Sequence, residues 1–354
     1  MSIEAAPRSD TERLLDIAPA SWEHPADRIA LQTLRAIPGF DLLISKFVGA
    51  WGERNIRLMF LANAVLVGPK QYPRLHAAAE RARRSLDIQQ EIPLFVSQTP
   101  FFNAGAYGVD QPFIVIHSAA LDILNDRELC VLVGHELGHV VSGHGLYHTM
   151  LAVVLTVGIR RFPVIAAAGL MPIRLALSEW SRKSELSADR AGLLASQDPD
   201  DCLSLFMKMA GGGRSSEGQL NLDAYIEQVD AHMAEHGVNS LFSLVSVMDA
   251  SHPFHTVRAA ELKRWHDSGE YTQILEGRYR RREEKGADES WRHDANDARE
   301  YYAAEAKKVA DSVSDAARAA GTEVSEAAKV AVTEVAGKWR DLQGKLAEKL
   351  NRKD

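Results

Sequence analysis

NDRELCVLVGHELGHVVSG, residues 125–143, is the stretch from which the rest of the chain is read. Asn125 followed by Glu128 has the form of a capping box, in which each side chain bonds the other residue's backbone N–H, and it predicts a helix start. Leu129, Leu132 and Val133 continue that helix to about Gly143. Into this apolar helix the sequence sets His135, Glu136 and His139. Two histidines four apart stand on one helix face, where their rings can grip one tetrahedral ion at about 2.0 to 2.1 Å each. Burying two imidazoles and a carboxylate among apolar neighbours is costly without a partner such as a metal. Glu136, beside the first histidine, is placed to take a proton from a water on that ion. The string is the pattern of a zinc peptidase helix.

A catalytic zinc needs a third protein ligand and one open position. A third histidine in fixed register after His139 would require a Gly and then a His. Ser142 and Gly145 stand at those places, which leaves His144 out of register by one. His144 therefore reads as a helix-end residue or one standing behind the ligands. The better candidate is Glu185 in Trp180-Ser181-Arg182-Lys183-Ser184-Glu185-Leu186-Ser187-Ala188-Asp189. Glu185 and Asp189 share a helix face, so Asp189 could accept the free ring N–H of a ligand histidine. Taken alone, the two acids read equally as an ordinary surface pair.

With the upstream motif, these residues resemble the gluzincin family that contains the heat-shock membrane protease HtpX and the type I CAAX prenyl proteases. The resemblance spans roughly residues 90 to 270. It implies one zinc per chain on His135, His139 and Glu185, Glu136 as the catalytic base, and a mainly α domain with a small β-sheet of the zincin kind. It further implies that Asn103 and Ala104 belong to an edge strand that pairs with extended polypeptide substrate. Ser251-His252-Pro253 and Arg258 resemble the family's downstream element. By that likeness His252 and Arg258 would hold the oxyanion of the reaction or the ligand Glu185.

Outward from this centre, Pro93 to Ser97 and Phe113 to Ile116 read as short strands, separated by the stretch Asn103 to Gly108. Residues 1–90 read as an N-terminal helical region and 91–275 as the catalytic domain. Within the latter, the apolar zone 146–177 is broken by Arg160, Arg161 and Arg174. It falls short of the 20 or so apolar residues needed to cross a bilayer, and reads either as two core helices or as a hairpin dipping into a membrane surface. Helices are expected about Ser178 to Ala195, around Cys202 to Met209 and across Leu220 to Ala250. A charged linker follows at 276–299, with Arg280, Arg281, Arg282, Glu283, Glu284 and Lys285 in one block.

In the tail, 300–354, Tyr302, Val313, Val324, Val335 and Leu346 recur every eleven residues, which predicts one long amphipathic helix. It is either solvated or self-associating, or laid on lipid with Trp339 and Leu342 beside its basic residues. The 354 residues, 46% apolar and 25% charged, suffice for a real core. A net charge of −7 argues against a nucleic-acid binder. Met1 to Asp27 carries Glu4, Asp10, Glu12 and Asp16 and lacks the form of a secretory signal. Cys130 and Cys202 lack metal-type spacing and read as buried thiols of a reducing compartment. The sequence reading is thus a cytoplasmic metalloendopeptidase, with peripheral contact at the inner face of the membrane through 146–177 or the tail as a further possibility. A non-catalytic scaffold on the same fold, or a membrane-surface binding protein using the C-terminal amphipathic helix, is the alternative.

Overall fold

The structure, a computed structural model, describes residues 11–35, 57–58, 62–108, 111–148, 150–151, 164–216, 218–235 and 254–282. The repeat tail, most of the charged linker, residues 152–163 of the apolar zone, the end of the helix predicted to reach Ala250, and His252 lie outside these.

Helix α1 spans Pro25–Arg35, strand β1 Ala64–Leu66 and α2 Pro73–Ser85. Strands β2 (Leu94–Ser97), β3 (Ala104–Tyr107) and β4 (Phe113–His117) come next. The short α3 (Ser118–Ile123) leads into α4 (Asp126–Val141). Then come α5 (Val164–Ser196), α6 (Pro199–Gly211), α7 (Leu222–Glu235), α8 (His255–Asp267) and α9 (Glu270–Leu275). The fold is mostly helical with one small sheet.

The sheet order is β1-β2-β4-β3, with β2 and β4 parallel and both outer pairs antiparallel. Alternation along β2 and β4 divides the side chains between two faces. Leu94, Val96, Ile114 and Ile116 join the main core, while Phe95, Phe113 and Val115 form a small cluster on the other face. Phe95 and Phe113 meet there edge to face at 5.9 Å between centroids. One strand is an addition to the sequence reading, and another, β3, stands where only the resemblance implied an edge strand. β1 lies in a stretch expected to be helical, and β3 fills the expected separator; a three-residue run and an Ala-Gly-Ala run carry little strand signal.

The capping box of α4 is present: Asn125 Oδ1 accepts the N–H groups of Arg127 and Glu128, and Glu128 accepts that of Asn125. From Glu128 to His139 every residue of α4 is buried. The other carboxylate contacts of Glu128 are Ser204 Oγ at 2.6 Å and Lys208 Nζ at 2.7 Å, both on α6.

Helix α5 corrects the sequence reading in one respect. The part of the apolar zone from Val164 to Leu177 and the helix expected to start at Ser178 form one continuous 33-residue helix. Leu177 and Ser178 are both buried within it, so the helix runs on through the expected boundary. Among the described residues no helix is long and apolar enough to cross a membrane.

The described part of the N-terminal region does not stand apart. Leu14, Ile17, Trp22, Leu75 and Ala82 share the main core with α4, α5 and α8. At the other end, the Arg280 carbonyl accepts the Ala18 N–H and the Arg282 N–H reaches the Asp16 carbonyl. Arg282 also joins Arg13 on the buried carboxylate of Asp87. Arg280 to Arg282, expected as the start of a solvated linker, are thus fastened to the folded unit.

Candidate metal centre

Two helices build the site, and small residues let them approach. Gly134 and Gly138, one turn apart on α4, face Ala191 and Ala195 on α5. A Cβ added at Gly134 would lie 2.3 Å from Ala195 Cβ, and one at Gly138 would lie 2.6 Å from Ala191 Cβ. Glycine is required at both places by this close approach, well inside the roughly 3.5–4.0 Å of ordinary carbon contact. The approach brings Glu185 of α5 against the histidines of α4.

His135 Nε2 and His139 Nε2 are 3.2 Å apart. Glu185 Oε2 is 3.5 Å from the first, and Oε1 is 3.4 Å from the second. Donors about 2.05 Å from a tetrahedral ion stand about 3.3 Å from one another, so the triangle has the size that zinc ligation requires. All three side chains are buried. The charge balance points the same way. Glu136, Glu185 and Asp189 are buried carboxylates, and Arg258 supplies one fixed positive charge among them. A divalent cation would offset the excess.

Titration reflects this balance. Burial alone would depress His135, yet hydrogen bonds and charge from Asp189 and Glu185 push it up to about 10. Burial pushes Glu136 up to about 7, with Glu185 adding to the effect and His135 and Arg258 opposing it. Burial draws His139 down to about 4. Glu136 accepts the Ala106 backbone N–H from the edge strand β3. Its Oε2 is buried with no hydrogen-bond partner among the described residues.

Behind His135, its Nδ1 meets Asp189 Oδ1 at 2.9 Å. Arg258 of α8 holds that carboxylate with two bonds, Nε to Oδ2 at 2.9 Å and a terminal nitrogen to Oδ1 at 2.5 Å. Its other terminal nitrogen is 3.5 Å from Glu185 Oε2. Arg258 therefore stands behind the carboxylates, whereas the resemblance left open an oxyanion role. Ala104 opens β3 at the sheet edge, and Asn103 Oδ1 accepts its N–H. His252 lies outside the described residues.

Behind His139 stand His144, which the sequence reading allowed there, and residues that it missed. His144 Nδ1 is 2.9 Å from His139 Nδ1, and His144 Nε2 is 3.2 Å from Asp27 Oδ2 on α1. Burial opposes charge on His144, but Asp27 outweighs it and raises the ring above its ordinary value. Ser187, inside the Glu185–Asp189 stretch, donates to Asp27 at 2.6 Å and accepts the His24 N–H. Asp27 looks in sequence like an ordinary first-turn acid, and no spacing signal connects it to a motif so far downstream.

The chain from 69 to 266 matches the family described as Peptidase family M48. Plastoglobule-localized metallopeptidase 48, chloroplastic, of Arabidopsis thaliana is 33% identical over 264 residues, covering 73% of this chain and 76% of that protein. The Protease HtpX homolog of Tropheryma whipplei, in strains Twist and TW08/27, is 26% identical over 241 residues, covering 54% of this chain and 80% of the relative. No solved structure gives a significant match.

Proposed function

This chain belongs to the M48 family of peptidases and is a metallopeptidase, and from that premise we propose that it cuts extended or unfolded polypeptide with a single zinc ion held by His135, His139 and Glu185. The observation that carries the proposal is the triangle of donors, 3.2 to 3.5 Å on each side, at the crossing of α4 and α5. When bound, zinc supplies a Lewis acid that polarises the scissile carbonyl and lowers the pKa of a water to about 7.

Glu136 is the general base. It takes a proton from the attacking water and returns it to the leaving amine. The bond from Ala106 fixes Glu136 beside β3. Since β3 is the last strand of the sheet among the described residues, its outer side can pair with an extended substrate and lay the scissile bond alongside Glu136. Asn103 Oδ1, which accepts the Ala104 N–H, occupies the position that a substrate carbonyl would take. Asp189 and Arg258 hold His135 in orientation, and we retain His252 as a candidate for the oxyanion.

We place the catalytic unit within residues 11–282 and the repeat tail at 300–354 as a separate amphipathic helix. The test is Glu136→Gln. Elemental analysis should find one zinc per chain in wild type and variant alike, while cleavage of unfolded casein falls by at least about 100-fold, the scale of general-base catalysis. Casein cleavage at the wild-type rate by the zinc-loaded variant would exclude Glu136 as the base, and wild-type protein purified without metal and indifferent to chelators would exclude the zinc.

A further inference from the structure

We infer that Asp27, on the N-terminal helix α1, is a positioning residue that sets the ring tautomer of His139 through His144. The inference rests on the reading of His139 as a metal ligand.

The argument needs only donors and acceptors. A neutral imidazole carries one N–H and one lone pair, and which nitrogen holds which is fixed by its partners. Asp27 Oδ2, 3.2 Å from His144 Nε2, can only accept as a carboxylate. In neutral His144, the form that leaves an acceptor for a His139 ligating through Nε2, the hydrogen is therefore on Nε2 and Nδ1 is a lone pair. His139 Nδ1 lies 2.9 Å from that lone pair and must donate. His139 Nε2 is left as a lone pair, and it is this nitrogen that faces His135 Nε2 and Glu185 Oε1. One buried carboxylate thus orders two rings in series.

The carboxylate is itself fixed on the helix that carries Glu185. Ser187 Oγ donates to Asp27 Oδ2 at 2.6 Å, and the His24 N–H, 2.9 Å from Ser187 Oγ, occupies that hydroxyl from the other side. Asp27, His144 and Ser187 are each 3% exposed or less, so water does not compete for these bonds. The two histidines are accordingly served in different ways. His135 meets a carboxylate directly, at Asp189, while His139 reaches one through an intervening imidazole. His144 and His148 lie close enough to His139 to suggest a second ion. The hydrogen bond from His139 already occupies the His144 lone pair that such an ion would need.

Long-range proton–nitrogen correlation spectra of the full chain, selectively labelled in histidine and loaded with zinc, read the tautomers directly. The wild type should show His144 protonated at Nε2 alone and His139 protonated at Nδ1 alone. In Asp27→Ala, His144 should lose its single tautomer, and zinc affinity measured against a competing chelator should fall 10–100-fold, the usual loss when an orienting partner of a ligand is removed. Asp27→Glu should recover part of that affinity. A wild-type His144 protonated at Nδ1 overturns the inference without recourse to any variant, as does an Asp27→Ala protein whose zinc affinity stays within twofold of wild type. His139→Ala separates the two readings. Unchanged zinc affinity in that variant refutes His139 as a ligand, whereas its loss beside an indifferent Asp27→Ala refutes the role of Asp27 alone.

Discussion

Replacing Gly134 by alanine tests whether close approach of α4 and α5 makes the site. The new Cβ would lie 2.3 Å from Ala195 Cβ and 3.2 Å from Gly192 Cα. Carbon atoms settle at about 3.5–4.0 Å, so the helices must part locally by more than about 1 Å. Overpacking of this kind costs about 1–3 kcal/mol, and the better helix propensity of alanine returns about 1 kcal/mol. The net loss, at most about 2 kcal/mol, would lower the melting temperature of a unit this size by up to about 8 °C. The effect on the metal should be larger in proportion. Glu185 rides on α5 at 3.4 and 3.5 Å from nitrogens on α4, and a ligand set tolerates only about 0.5 Å of displacement. Chelator competition should therefore show zinc affinity reduced by about tenfold or more, the scale of loss when ligand placement is disturbed. The decisive arm is the double variant Gly134→Ala with Ala195→Gly, which deletes the clashing methyl and should restore both melting temperature and affinity. Additive losses in the double variant, or a Gly134→Ala protein as stable and as tight for zinc as wild type, would refute the reasoning.

Further outcomes follow from buried charge. Arg258→Met leaves Asp189 and Glu185 without their fixed cation, and urea unfolding of the metal-free protein should show a loss of about 3–5 kcal/mol; a loss under about 1 kcal/mol would contradict it. Lys208→Met leaves the fully buried Glu128 with only neutral donors and should cost about 1–3 kcal/mol, whereas Lys208→Met with Glu128→Gln should cost less than Lys208→Met alone. His24 is held well below its ordinary value by burial and then by Arg190, and its Nδ1 accepts the Ala26 N–H. Below about pH 6.5 the unfolded chain gains a proton that the folded ring refuses, so stability should fall as pH drops from 6.5 toward the folded value. His24→Asn, which keeps an acceptor but does not titrate, should reduce the slope of the melting-temperature profile in that window, leaving the share of His139; an unchanged slope would exclude His24 as a source. Asp27, Asp87 and Asp189, all depressed, act in a separate and more acidic window beginning below about pH 4.

What could be read from sequence was what repeats or caps locally. The capping box at Asn125, the apolar run of α4, the strands β2 and β4 and the pairing of Glu185 with Asp189 all rest on near-neighbour spacing. β1 escaped because three residues carry no period, and the continuity of α5 because the arginines in the apolar zone suggested breaks. Asp27 and Ser187 escaped for a different reason. Each looks ordinary in its own segment, and their contact joins residues 160 positions apart. One signal was available and unused: Gly134 and Gly138 repeat at the spacing of Ala191 and Ala195, and matched small residues on two helices predict that their axes come close.

That packing and the charge balance depend on one another. Glutamate has a short reach, so a ligand from a neighbouring helix closes the triangle only where two glycines and two alanines remove the usual side-chain layer. Closure in turn sets Glu136 and Glu185 together in a dry interior, where the repulsion between carboxylates is felt almost unscreened. The surrounding helices answer it with oriented groups instead of solvent. Arg258 from α8 neutralises Asp189, and α1 brings Asp27 to order the second ring. A catalytic segment cut free of α1 and α8 would keep the motif and lose this compensation. The described core, shared from Leu14 to Ile274, packs these answering groups and the motif into one unit.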